Sequence, residues 1–125
     1  MNKKKKILLV DDEQDILDLL SYNFNKRGYT VHTAHDGNEA LSEMTAFIPD
    51  IIVSDILMPN INGIGLCRLL KNDERYKNIP VIFLSAANDD LLVLSSIEAG
   101  GARYLSKPIQ MEKLFDVVRK IEQAA

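Results

Sequence analysis

Three aspartates, a serine and a lysine are the residues of this chain best placed to do chemistry: Asp11, Asp12, Asp55, Ser85 and Lys107. Each stands at the end of a short, mostly apolar run, and together they comprise a nucleophile, oxygen ligands, a hydroxyl donor and an ammonium. Two carboxylates 4 Å apart repel by about 1 kcal/mol in water and by about 4 kcal/mol at an effective dielectric of 20. Acids gathered at one place therefore retain a proton or collect a cation. Oxygen-only ligands with room for water favour Mg²⁺ over zinc or copper. A carboxylate beside such an ion can attack phosphorus and form an acyl phosphate. Because the transition state spreads charge over three oxygens, counter-charge and positioning supply most of the catalysis. Singly, each residue has a plainer reading: a strand-end Asp as a turn or cap, Lys107 as a solvated lysine, Ser85 as a helix cap. The chemical reading requires that separate strands deliver all of them to one edge.

The elements that would do so are legible as alternating strands and helices. Lys6–Val10 reads as a buried strand, followed by a helix over 14–27 with Ile16, Leu17, Leu20 and Phe24 on one face. Gly28 stops that helix. Tyr29–Ala34 is a second strand, and Asp36-Gly-Asn-Glu39 is a capping-box pattern opening a helix that buries Ala40, Leu41 and Met44. Ile51–Ser54 is a third strand ended by Asp55; the loop Met58–Asn62 then leads to a helix carrying Leu66, Cys67 and Leu70 inward. Val81–Leu84 is a fourth strand ending at Ser85, with a helix over roughly 89–99 behind it. Arg103–Ser106 is a brief fifth strand, and residues 110–123 bury Met111, Leu114, Phe115, Val118 and Ile121 at helical spacing. Apolar strands alternating with helices imply an α/β fold with a parallel sheet covered on both faces. Right-handed crossovers leave few topologies. Five such units suit a five-stranded sheet of order 2-1-3-4-5, doubly wound with five helices, whose ligands bind outside the carboxyl ends of the strands where the winding reverses.

The 125 residues, 46% hydrophobic and 26% charged, fit one domain spanning 1–125. A net charge of −3 argues against direct nucleic-acid binding. The Lys3–Lys6 run reads as a solubilising leader to the first strand, and the apolar Ile7–Val10 behind it is far too short for a signal peptide or membrane span. With a single cysteine, Cys67, there is no internal disulfide, and a cytoplasmic protein is expected. His32 and His35 make no metal-ligand spacing and read as solvated or packing side chains, away from the acids.

The motifs closely resemble the receiver domain of bacterial two-component response regulators. The matching strings are Ile7-Leu-Leu-Val-Asp-Asp-Glu13, Pro49-Asp-Ile-Ile-Val-Ser-Asp55, Met58-Pro59 with Gly63, Pro80-Val-Ile-Phe-Leu-Ser-Ala86 and Tyr104-Leu-Ser-Lys-Pro108, in order across nearly the whole chain. The resemblance implies the flavodoxin-like fold of the chemotaxis-type receivers. It further implies Asp55 as phosphoacceptor, and Mg²⁺ held by Asp11, Asp12, Asp55 and the backbone carbonyl of Leu57. Ser85 and Lys107 would contact the phosphoryl group, and the Lys107–Pro108 bond would be cis. The donor would be a phosphohistidine on a sensor histidine kinase or phosphotransfer protein. Such a domain is no enzyme in the ordinary sense: it catalyses only its own phosphorylation and slow dephosphorylation.

Tyr104 matches the family's switch aromatic, able to turn inward when a phosphoryl group draws the Ser85 hydroxyl toward it. Moving such an equilibrium from mostly off to mostly on requires a differential of roughly 5 kcal/mol. The output surface would be the fourth helix, fifth strand and fifth helix, used for a downstream effector or a homodimer. On the apolar fourth helix, with Leu94 and Ile97 turned inward, Leu92 and Val93 join Tyr104 on that surface. Departures from the family pattern carry consequences of their own. Leu57 and Ala87 are unable to position an attacking water, so slow self-dephosphorylation is expected, and Ala102-Arg103 replaces the acids common before the switch aromatic. Three other readings remain: a haloacid-dehalogenase-type phosphatase, which would turn over a small phosphate ester; a flavin-binding electron carrier, which would be coloured; and a scaffold with a vestigial acidic pocket. No effector domain lies within these residues, so the chain either docks alone or is part of a longer one.

Overall fold

The computed structural model describes residues 4–86 and 90–124. Its elements follow the expected alternation: β1 (Lys6–Val10), α1 (Gln14–Lys26), β2 (Thr30–Ala34), α2 (Gly37–Glu43), β3 (Ile51–Asp55), α3 (Gly63–Lys71), β4 (Val81–Ser85), α4 (Asp90–Glu98), β5 (Arg103–Ser106) and α5 (Met111–Ala124). All strand pairs are parallel and the order is β2-β1-β3-β4-β5, as the sequence pattern led us to expect. Val10 pairs with Ser54, Asp55 with Leu84, and Ser85 with Ser106, so the strand ends that matter lie nearly level.

Successive residues of a strand point to opposite faces, and the core divides accordingly. On one face Ile7, Leu9, Ile51, Val53, Ile82, Leu84 and Leu105 pack with Leu17, Leu20 and Phe24 of α1 and with Leu114, Phe115, Val117 and Val118 of α5. On the other, Leu8, Val10, Ile52, Val81 and Phe83 meet Ala40 and Met44 of α2 and its following turn, and Leu66, Cys67 and Leu70 of α3. The central strands are buried on both sides, whereas the edge strands β2 and β5 are largely half-exposed. Asp36 caps α2 by accepting from the Glu39 N–H at 2.8 Å, the expected box. The reciprocal bond is displaced by one residue, since the Glu39 carboxylate accepts from the N–H of His35 rather than Asp36.

The fourth helix turns the other way from the expectation. Leu94 and Ile97 are 51% and 59% exposed, as is Leu91 at 71%. Leu92 is half-buried against the core, Val93 is half-buried, and the fully inward positions belong to Ser96 and Ala99. The cause is close approach to the sheet. A Cβ on Gly101 would stand 2.5 Å from the Phe83 ring and 2.8 Å from the Ser96 carbonyl oxygen, leaving no room for a bulky residue facing that ring. Ser96 fits because it is small and because its hydroxyl donates to the Val93 carbonyl at 2.7 Å, so no polar group is left unpaired inside. An apolar helix with little polar contrast around its circumference is oriented by such packing, not by its own pattern.

Candidate functional site

The five residues do meet at the carboxyl edge. Asp11 immediately follows β1, with its backbone N–H bonded to the carbonyl of Ala34, the last residue of β2, at 3.1 Å. Asp55 is the last residue of the neighbouring β3, and both are buried, 1% and 6% exposed. Lys107 follows β5, and its backbone N–H donates to the Ser85 carbonyl at 2.8 Å, which ties the lysine to the end of β4. Its ammonium reaches across the edge to Asp11 Oδ2 at 2.9 Å and Asp55 Oδ2 at 3.4 Å. Ser85 is fully buried beside them at the end of β4, and the Lys107–Pro108 bond is cis.

Each buried carboxylate divides its oxygens in the same way. Asp11 Oδ1 accepts from the Glu13 N–H at 2.9 Å, and Asp55 Oδ1 accepts from the Ile56 N–H at 2.8 Å; the second oxygen of each faces Lys107. Burial pushes the Asp55 carboxyl above its ordinary range; the Lys107 charge opposes this and the Asp11 charge adds to it. For Lys107, burial alone would lower its pKa, but the Asp11 hydrogen bond and the charges of Asp55 and Asp11 prevail and raise it. The ammonium is held charged while Asp55 is held under electrostatic load.

One carboxylate oxygen from each of Asp11, Asp12, Glu13 and Asp55 lies within 4.8 Å of the others. These are hard oxygen donors, two buried and two exposed, which is a donor set suited to a divalent cation that keeps part of its water. Glu13 is an addition to the expected set: its carboxylate is 3.6 Å from the Lys107 ammonium. The only local signal for it was its adjacency to Asp11-Asp12. Leu57 lies in the loop after β3 and is 57% exposed. Tyr104 is half-buried, packs against the α2–α3 face of the core and pairs in register with Phe83. Ala87 lies outside the described residues.

His35, expected to lie away from the acids, instead reaches the residue next to them: its Nε2 is 2.7 Å from Oε1 of Gln14, the residue after Glu13. His32 does stay apart, stacked on Phe47 with ring centroids 3.7 Å apart and paired with Glu43.

The response regulator receiver domain model matches residues 7–119. Among curated proteins, the alkaline phosphatase synthesis transcriptional regulatory protein PhoP of Bacillus subtilis (strain 168) is 37% identical over 117 residues, 94% of this chain and 48% of the relative. The probable transcriptional regulator ycf27 of Guillardia theta is 34% identical over 121 residues, covering 97% and 46%. The chain thus spans about half the length of these relatives. Among solved structures, the chemotaxis response regulator CheY4 of Vibrio cholerae superposes with a TM-score of 0.88 at 28% identity, covering 95% of this chain and 99% of that one. The signal receiver domain of an HD domain-containing protein from Pseudomonas fluorescens Pf-5 gives 0.92 at 28% identity, covering 98% and 97%. Among the described residues, no helix is long and apolar enough to cross a membrane.

Proposed function

The chain belongs to the response regulator receiver family of two-component signalling, and from that premise we propose that Asp55 is the phosphoacceptor of a Mg²⁺-dependent transfer from a phosphohistidine donor. The observation that carries the reading is the Lys107 ammonium lying between two buried carboxylates, 2.9 Å from Asp11 and 3.4 Å from Asp55. Asp11, Asp12, Asp55 and the Leu57 carbonyl would hold the ion, with Glu13 at its exposed side. When bound, Mg²⁺ supplies positive charge to the phosphoryl oxygens and offsets the repulsion among the acids.

A carboxylate oxygen of Asp55 forms the new P–O bond as the P–N bond of the donor breaks, and the leaving imidazole takes up a proton from solvent. Lys107 neutralises charge on the transferring group, and Ser85 offers its hydroxyl to a phosphoryl oxygen. Because Asp11 is fixed by the Glu13 N–H and by Lys107, these charges are in place before the donor arrives, and little reorganisation is required. The partner supplying the phosphoryl group would be a sensor histidine kinase or phosphotransfer protein, in the cytoplasm.

For the output, Tyr104 turning toward Ser85 would alter the surface of α4, β5 and α5. The exposed apolar residues there are Leu91, Leu94 and Ile97, and these replace Leu92 and Val93 as the docking or dimer face for an effector or a second copy. The decisive experiment is incubation with a small acyl phosphate and Mg²⁺. The parent should gain the mass of one phosphoryl group, and Asp55→Ala should gain none. Modification of Asp55→Ala to the same extent, or none of the parent, overturns the assignment.

A further inference from the structure

The β2–α2 loop supplies no ligand and no reacting group, yet it touches the start of the helix behind one acid-bearing loop and the tip of the other. On one side His35 Nε2 is 2.7 Å from Gln14 Oε1. The orientation of that amide is fixed, because Gln14 Nε2 donates to Asp18 Oδ1 at 2.9 Å. His35 is itself held by Glu39, whose carboxylate lies 3.0 Å from the ring Nδ1 and accepts from the His35 backbone N–H at 3.2 Å. This side fastens the first residue of α1, directly behind the loop carrying Asp11 and Asp12.

On the other side, Asp36 divides its carboxylate. Oδ1 caps α2, and Oδ2 accepts from Asn60 Nδ2 at 3.1 Å. The next residue, Gly37, lies directly against Ile61: a Cβ there would stand 2.7 Å from the Ile61 Cβ and 2.9 Å from its carbonyl oxygen. Asn60 holds φ +63°, a left-handed conformation that costs a non-glycine residue energy. The base of the β3–α3 loop is closed by the Gly63 N–H donating to the Ile56 carbonyl at 2.8 Å, so the Asn60–Ile61 tip is the part left for the β2–α2 loop to restrain.

We propose that the His35-Asp36-Gly37 segment is a bracket that sets the separation of the two acid-bearing loops, and thereby how tightly they hold a divalent cation. Its members are positioning residues. The inference rests on the Mg²⁺ site proposed above, but not on Asp55 being phosphorylated. Helix capping alone would account for Asp36 Oδ1 and Glu39; it does not account for the bonds outward to Gln14 and Asn60, which tie the β2–α2 loop to the start of α1 and to the β3–α3 loop.

Two uncharged substitutions test it without altering the charge of the site: Gln14→Ala, which removes the bond to His35, and Asn60→Gly, which removes the bond to Asp36 while relieving the left-handed residue. Mg²⁺ is titrated into the full chain by calorimetry, alongside the metal-free thermal midpoint, with Asn23→Ala on the solvent side of α1 as control. Each of the two variants should bind Mg²⁺ about three- to tenfold more weakly, the range expected from one lost hydrogen bond. Asn60→Gly should do so without a lower midpoint, and the control should bind as the parent does. Unchanged affinity in both variants overturns the bracket, as does a loss that only follows a matching fall in metal-free stability. A parent that takes up no Mg²⁺ overturns the metal site and the bracket together. A parent that binds Mg²⁺ but is not modified by acyl phosphate overturns the phosphoacceptor reading alone, and the titration still decides the bracket.

Discussion

The two ends of the sheet are built on opposite principles. At the amino end, groups are paired to cancel one another. The Tyr29 hydroxyl donates to Glu122 of α5, the Tyr29 and Phe115 rings both meet Phe24 edge-on at 5.1 Å, and Arg27 covers the Phe115 ring at 3.9 Å. Burial, followed by the Glu122 hydrogen bond and charge, pushes the Tyr29 hydroxyl far above its ordinary range, so it remains a donor. The Lys6 N–H bonds the Asp50 carboxylate at 2.8 Å. At the carboxyl end, acids from adjoining strands are held close with one buried ammonium among them, and Asp55 is left under load. One end is satisfied and the other is poised to gain from added positive charge. Proteins tolerate that kind of local disagreement where they function, and here the satisfied end helps to hold the α1–α5 face together around it.

If this contrast is right, damage at the two ends should be separable. Phe24→Ala should cost about 3–5 kcal/mol of stability by opening a cavity and removing two edge-on ring contacts, measured by urea unfolding. Molecules that remain folded should still accept the phosphoryl group at Asp55. Loss of phosphorylation at temperatures where the variant is fully folded would show that the ends are not independent.

Asp55→Asn should have the opposite sign, raising metal-free stability by about 1 kcal/mol at neutral pH through loss of one of two neighbouring buried charges. The pH dependence follows from the raised folded-state pKa. Between the ordinary value of 3.8 and the raised one, the native parent binds more protons than the unfolded chain, so its stability falls as pH rises. The advantage of Asn should therefore be full above that window and should vanish below it. Saturating Mg²⁺ should narrow it too. An advantage constant with pH, or a loss of stability at neutral pH, would contradict the picture of a loaded carboxylate.

Tyr29→Phe should lower stability by about 1 kcal/mol, the net worth of one hydrogen bond, and leave the rate of modification by acyl phosphate unchanged. A changed rate would mean that the amino end reports to the site. The smallest stability effect should come from α4: Leu91→Asp with Leu94→Asp should change stability by less than about 0.5 kcal/mol per substitution, as exposed positions do. The pair should nonetheless abolish any phosphorylation-dependent dimer seen by sedimentation. Persistence of that dimer would place the interface elsewhere.

The order of the strands, the doubly wound cover and the arrival of Asp11, Asp12, Asp55, Ser85 and Lys107 at one edge were legible in the sequence. The reason is local: apolar runs with a polar residue at their end, separated by helical periods, leave few ways to wind a parallel sheet, and that winding carries strand-end residues to a common rim. The Asp36 cap was readable on the same grounds, since it depends on residues three apart. The inward face of α4, the inclusion of Glu13 and the closeness of His35 were decided only by tertiary structure. Leu91, Leu92, Val93, Leu94 and Ile97 are chemically too alike to choose a face, and the choice fell to the space left by Phe83 and Gly101. His35 and Gln14 are 21 residues apart, and only the pairing of β1 with β2 brings the loops behind them together.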